Sequence, residues 1–482
     1  MAEKSAVNIE IGWRDPFDVA KSLADVPGFA FLDSALFHQK LGRYSFIGID
    51  PFGVFTVTDG RAAWNGEALD AAPLDALRRL LRRFALPSDP ALPPFQGGVI
   101  GAIPYEFGWQ LEILRAQDHV VPAEPVHLAF YDLILAFDQL ERRAFVISSG
   151  FPEEDAETRG RRAAARIEEA LALLDRESLK VRAAKAAAMI SLPDGAWRSN
   201  FTASAYRAAI EKVRAHIFAG DIYQANIAQR FEIDLPAGFS NFTFYEHLRR
   251  MNPAPFGAYL SFGETAIASS SPELLLRKRG TLVEARPIKG TAKRSRDPVE
   301  DARRGEALLA SEKDRAENIM IVDLLRNDLS LVCRPYSIEV PVLCGRESYA
   351  NVHHLVSVVT GELAEGRDEP DLVAATFPGG SITGAPKRRA MEIIEAVEQT
   401  PRGYYCGSIL YISFDGTTDM NIAIRTVVLK PGRARFHAGG GITYLSDPGA
   451  EYAETYDKAQ RIFDAFAACQ AEEQPELEKN PQ

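Results

Sequence analysis

The chain reads as an α+β protein, on three observations. Its β-rich runs come in groups, its helical segments gather between those groups, and Gly, Pro and Asp punctuate both. The first group, RYSFIGI, GVFTVT and HLAFYDLILAF, lies in the opening 150 residues. Within it, apolar spacing predicts a helix over Leu74–Phe84. An Ala-, Arg- and Glu-rich stretch predicts another over Glu153–Leu174. The second group opens with a helix over Ala203–Ala219 and the strand-like IYQANIAQRFEIDL. Strands then run through Phe256–Ala285, and helices cross Pro298–Leu329. A late meander from Ile409 to Ile442 turns at Asp415-Gly416 and Pro431-Gly432, and a last helix covers Ala450–Cys469. These changes divide the chain into a first region 1–176, a connector 177–197, a second region 198–470 and a disordered tail 471–482.

Bulk properties narrow the function. The 482 residues suffice for a large core, and 46% hydrophobic with 25% charged content is ordinary for a globular protein. A formal net charge of −11 argues against nucleic acid or an anionic membrane surface as the main partner. The first residues carry no signal-like apolar run, and no stretch has the roughly 18 apolar residues of a spanning helix. Four cysteines without CxxC spacing fit reduced core thiols in a cytoplasmic protein.

Chemistry concentrates in a few segments. Lys289, in VEARPIKGT, stands between a rigid proline and a flexible Gly-Thr. A lysine attacks an electrophilic carbon only when neutral, so it needs burial or a cationic neighbour, for which Arg286 and Lys293 are the candidates in sequence. Most single lysines in turns are merely solvated. Asp314/Glu317 and Glu451/Glu454 are i,i+3 pairs on predicted helices, so each pair shares a face. Facing each other, they would suit Mg²⁺; apart, they are ordinary solvated faces. In FPGGSITGAPKRRAMEII, Pro386 stands where a helix can begin and present backbone N–H groups to a carboxylate, and no Walker A spacing follows. Gly439, Gly440 and Gly441 permit close backbone approach to a ligand or form a plain turn. Gln224 and Asn226 share one strand face, whereas the adjacent His353 and His354 point to opposite faces.

Seven segments in one order, SSSPELLL, PIKGTAKR, AENIMIVDLLRNDL, NVHHLVS, FPGGSITGAPKRRAM, GSILYISFDGTTDMNIAIRT and GGGITYLSDPGAEYAETYDKA, resemble the motif set of the chorismate-binding family over about Phe201 to Phe466. FLDSA and GRYSFIGIDPF resemble the first region of its aminating members. The resemblance implies a two-lobed antiparallel β-sandwich with helices outside. Lysine at 289 resembles the branch that makes 4-amino-4-deoxychorismate for p-aminobenzoate and folate, since the anthranilate branch typically has alanine there. Isochorismate- and salicylate-forming members look less similar in their flanking residues and first region. Ser330-Leu331 in place of Gly-Arg, and Ala285 in place of threonine, are departures away from the catalytic positions.

The resemblance also implies roles. Mg²⁺, held by Glu317 and Glu454 with Asp314 and Glu451 acting through water, would bind the ring carboxylate of chorismate. Lys289 would attack ring carbon 2, Glu273 would protonate the hydroxyl leaving carbon 4, and His354 would lie near that hydroxyl. Gly290 and Thr291 would line the ring pocket. Tyr405, Arg425, Lys458 and the Gly439–Gly441 backbone would hold the enolpyruvyl carboxylate. Ser34, Arg43, Tyr44, Ser45 and Pro255 fall where the family builds a tryptophan pocket, a packed contact between lobes being the plain alternative. No cysteine has the setting of a glutaminase nucleophile, so ammonia would come from a separate glutaminase subunit.

Overall fold

The computed structural model describes residues 6–111, 124–179, 196–349 and 352–471. Two large antiparallel sheets face each other, and each takes strands from both regions of the chain. In the first sheet, Ala30–Asp33 pairs with Phe256–Phe262, Phe31 opposite Tyr259. In the second, Gly98–Ile103 pairs with Ser408–Ser413, Val99 opposite Ile412. The boundary at 177–197 thus marks a change along the chain that both sheets bridge. Glu177–Leu179 extend the helix Ala156–Leu179, while 180–195 and the tail 472–482 lie outside the described residues.

Alternation along the strands builds the layers. Phe46 faces the core between the sheets, and its neighbour Ile47 faces the opposite side, under the helices. Central strands such as Leu133–Asp138 are buried on both faces, which explains their unbroken apolar reading. Fully burying one such phenylalanine contributes about 2–3 kcal/mol. The helices Pro16–Leu23, Asn241–Met251 and Pro448–Ala471 cover the outer face of the first sheet.

Local signals place the helices that matter for the site. The predicted helical stretch 298–329 is two helices, Pro298–Ala310 and Glu312–Ser330. Ser311 makes the break. Its backbone N–H closes the first helix on Leu308, and its hydroxyl accepts from Asp314 N to start the second. The helix Lys387–Glu398 does begin just after Pro386, as the sequence predicts. Its first residue sends Nζ into a buried ion pair with Asp328 at 2.8 Å. That pair ties the helix Glu312–Ser330 to the loop Gly379–Pro386.

Candidate active site

Lys289, Glu273, His354 and the four predicted carboxylates meet around one cavity of about 460 Å³, together with Gly290, Thr291, Tyr405, Arg425, Gly439, Gly441 and Lys458. The lysine arrives on the strand Ile288–Lys293, whose register against Val352–Glu362 slips between Ile288 and Thr291. Gly290, at φ 85, supplies the left-handed backbone of that bulge. A Cβ there would come within 2.9 Å of Asp314, so the lysine strand packs directly on the carboxylate helix.

Lys289 Nζ donates to the Ser381 carbonyl at 3.0 Å. Its amine is enclosed by the cavity walls, and burial pulls its pKa below the ordinary lysine value against the pull of Glu317 and Glu273. Lys458 adds to the lowering, whereas the neighbours suggested by sequence do not serve. Arg286 is engaged by Glu347 and Glu284, and Lys293 is exposed.

Glu273 is buried on the other side of Ser381, whose hydroxyl donates to its carboxylate at 2.7 Å. Burial raises the Glu273 pKa, opposed by Ser381 and Lys289. The cavity therefore holds an amine shifted towards its neutral form and a carboxyl shifted towards its protonated form. His354 stands opposite Thr291 in the ladder, with Nδ1 2.9 Å from the Thr291 hydroxyl. Burial, reinforced by Arg425, brings its pKa to about 4, so it is a neutral imidazole near pH 7. His353 points elsewhere, to Ser348 and Asp301.

Asp314 and Glu317 come from Glu312–Ser330, and Glu451 and Glu454 from Pro448–Ala471. Burial raises both Glu317 and Glu451, and charge on Glu454 raises them further. The donors are all oxygen. Among the described residues no three His, Cys, Asp or Glu side chains converge enough to enclose an ion unaided. Gly440 lets the two helical carboxylates approach the strand: a Cβ there would lie 3.2 Å from Glu451 and 3.5 Å from Glu454.

Two cations, Arg425 and Lys458, line the same cavity. Arg425 donates to Asn252 and has no carboxylate in contact among the described residues, while burial lowers its pKa. It is a desolvated guanidinium suited to a substrate carboxylate. Lys458 is held by Glu454 at 2.7 Å and by the Gly439 carbonyl at 2.8 Å. Tyr405 stacks on His437 with ring centroids 5.1 Å apart. Asn226 also lines the cavity, and Gln224, one face-step away, is buried. Ser381 and His437 escaped the sequence reading, because their partners lie far away along the chain.

Ser34, Arg43, Tyr44 and Pro255 line a second cavity of about 370 Å³ between the two regions. Ser45 stands behind that wall, its hydroxyl accepting from Ser34 N at 3.1 Å. Arg277, Arg279, Asp419 and Tyr411 are among its other charged and aromatic residues.

The model of the chorismate binding enzyme family matches residues 32–464. An aminodeoxychorismate synthase component 1 from Klebsiella aerogenes is 37% identical, over 95% of this chain and 98% of its own. An anthranilate synthase component 1 from Bacillus caldotenax is 36% identical, over 94% of this chain and 91% of its own. The crystal structure of anthranilate synthase component I from Streptococcus pneumoniae TIGR4 superposes with a TM-score of 0.75 at 30% identity, covering 89% of this chain and 93% of that one. The sandwich and the cavity belong to one matched span, and the chain is a member of the chorismate-binding enzyme family.

Proposed function

We propose that the protein aminates chorismate at ring carbon 4, giving 4-amino-4-deoxychorismate on the route to p-aminobenzoate and folate. The observation that carries this reading is the pairing of Lys289 and Glu273 through Ser381 inside the cavity. The Lys289 amine attacks ring carbon 2, the ring electrons shift, and the carbon 4 hydroxyl leaves with a proton from Glu273 as water. Ammonia adds at carbon 4, the electrons return, and Lys289 is expelled with its lone pair. The new ammonium gives one proton to the Glu273 carboxylate, restoring the acid. Neutral His354, oriented by Thr291, offers a hydrogen bond near the departing hydroxyl.

Arg425, Tyr405, Lys458 and the Gly439–Gly441 backbone bind the enolpyruvyl carboxylate in this reading, and Gly290 and Thr291 border the ring. The oxygen-only set Asp314, Glu317, Glu451 and Glu454 fits Mg²⁺, which takes few direct carboxylates and keeps several waters. Bound there, the ion would neutralise the ring carboxylate and draw electrons from the ring. The names "component 1" of the relatives support a separate glutaminase subunit as the source of ammonia. Four buried free cysteines agree with a cytoplasmic setting, and no helix among the described residues is long and apolar enough to cross a membrane. The second cavity is proposed to hold tryptophan, and a thermal shift on adding it tests that.

The deciding experiment identifies the product from chorismate, ammonium and Mg²⁺, with and without an aminodeoxychorismate lyase. A product that becomes p-aminobenzoate only with lyase supports the reading. Fluorescent anthranilate forming without lyase replaces it with the anthranilate synthase reaction.

A further inference from the structure

Lys387 and Asp328 form an ion pair in a place where local electrostatics oppose one. Lys387 is the first residue of the helix Lys387–Glu398, and Asp328 lies in the last turn of the helix Glu312–Ser330. A cation at a helix N-terminus and an anion at a helix C-terminus both run against the macrodipole. Each side chain is also buried, Lys387 at 8% and Asp328 at 4% exposure. Lys387 Nζ donates to Asp328 Oδ2 at 2.8 Å and to the Thr376 carbonyl at 3.3 Å. The attraction in such a pair does little more than offset its desolvation, and an apolar pair of similar volume is often as stable. Stability alone is a weak reason to keep these two charges.

Their position supplies a better one. The pair closes one end of the loop Gly379–Pro386 on the helix that carries Asp314 and Glu317. At the loop's other end, Gly380 lies against Leu324 of the same helix with no room for a Cβ between them. Between these two anchors, Ser381 meets the Lys289 amine with its carbonyl and the Glu273 carboxylate with its hydroxyl. We propose that Lys387 and Asp328 are positioning residues for the amination, their pair holding the loop where Ser381 orients Glu273 and Lys289. Neither residue lines the cavity, so both act through the loop. The Ser381–Glu273 bond of 2.7 Å leaves little slack, and a misplacement of about 1 Å in a catalytic group can cost about 10²-fold in rate. The directional Nζ–Oδ2 bond fixes the loop to a degree that an apolar contact does not. The inference rests on the amination reading above, in which Glu273 is the acid.

The test replaces the pair in the full-length chain with Lys387→Met and Asp328→Leu together. Melting temperature, kcat, chorismate KM and the pH profile at constant free ammonia are compared with the parent. The double variant should melt near the parent, because both buried charges leave at once. Its kcat should fall by about tenfold to 10²-fold, with the chorismate KM within about twofold. Its alkaline limb should move up as the Ser381 hydroxyl withdraws from Glu273, while Lys289 and Arg425, the charged groups facing Glu273, stay in place. In a Ser381→Ala background the same pair change should add no further movement of that limb, since the route through Ser381 is already cut. A folded double variant with parental kcat and limb overturns the inference, as does an equal limb movement in the Ser381→Ala background. Should the apolar pair not fold, Lys387→Arg keeps the charge and changes the length of the arm. The same fall in kcat and the same limb movement are expected from it, and parental values overturn the inference. Parental turnover in Glu273→Gln removes the amination reading itself. Lost turnover in Glu273→Gln, beside parental kinetics in the pair variants, overturns the positioning role alone.

Discussion

Lys289 and Glu273 are joined by one residue: Ser381 accepts from the lysine amine through its carbonyl at 3.0 Å and donates to the carboxylate through its hydroxyl at 2.7 Å. The proposed nucleophile and the proposed acid are thus set by a common support. That support sits in the loop Gly379–Pro386, which the buried Lys387–Asp328 pair fastens to the carboxylate helix.

Lys289→Ala should abolish covalent capture of chorismate and lower amination by at least about 10³-fold, the scale expected when a nucleophile is removed. Mass spectrometry of quenched enzyme checks it. An adduct of unchanged mass in the variant assigns the nucleophile elsewhere.

Glu273→Gln keeps the shape and removes the proton. Turnover should fall by about 10²- to 10⁴-fold, the usual worth of a general acid, while the chorismate KM changes little. Loss of binding in place of turnover would make Glu273 a substrate contact only.

The pH profile, taken at constant free ammonia, should be bell-shaped. Activity is lost on the acid side as Lys289 takes up a proton, and burial has moved that limb down from the ordinary lysine range. It is lost on the alkaline side as Glu273 gives up its proton, and burial has moved that limb up from the ordinary carboxyl range. Ser381 favours the ionised carboxylate, so Ser381→Ala should shift the alkaline limb upward. His354, with a pKa of about 4, should contribute no limb near 6.5.

Glu317→Gln and Glu454→Gln should each raise the Mg²⁺ concentration for half-maximal activity by about tenfold or more, with a smaller effect from Asp314→Asn. Gly440→Ala should act in the same direction, because its methyl would press on Glu451 and Glu454. Magnesium titrations that superpose on the parent curve would place the ion elsewhere.

Sequence patterns revealed the parts of this site that local spacing encodes. The i,i+3 carboxylates needed only a helix to share a face, and the helices are there. Lysine between Pro287 and Gly290 signalled an irregular backbone, which the structure makes a bulge. Helices are expected across 298–329 without a boundary, and the structure puts that boundary at Ser311, where a Ser before Glu-Lys-Asp is an N-cap signal. Ser381 and Arg402 were illegible for another reason. The first acts on residues 92 and 108 positions away, and the second on Asn226, 176 positions away. Such contacts exist only after both sheets have closed. The burial that tunes Lys289 is likewise a property of the assembled cavity, and no neighbour in sequence supplies it.

Because each sheet is stitched from strands on either side of residue 177, the polypeptide cannot be cut there into exchangeable modules. A half expressed alone would leave open strand edges and a core with one wall missing. Relatives that run different chemistry on this scaffold must therefore diverge through side chains around the cavity, since recombination of halves would break the frame that holds them.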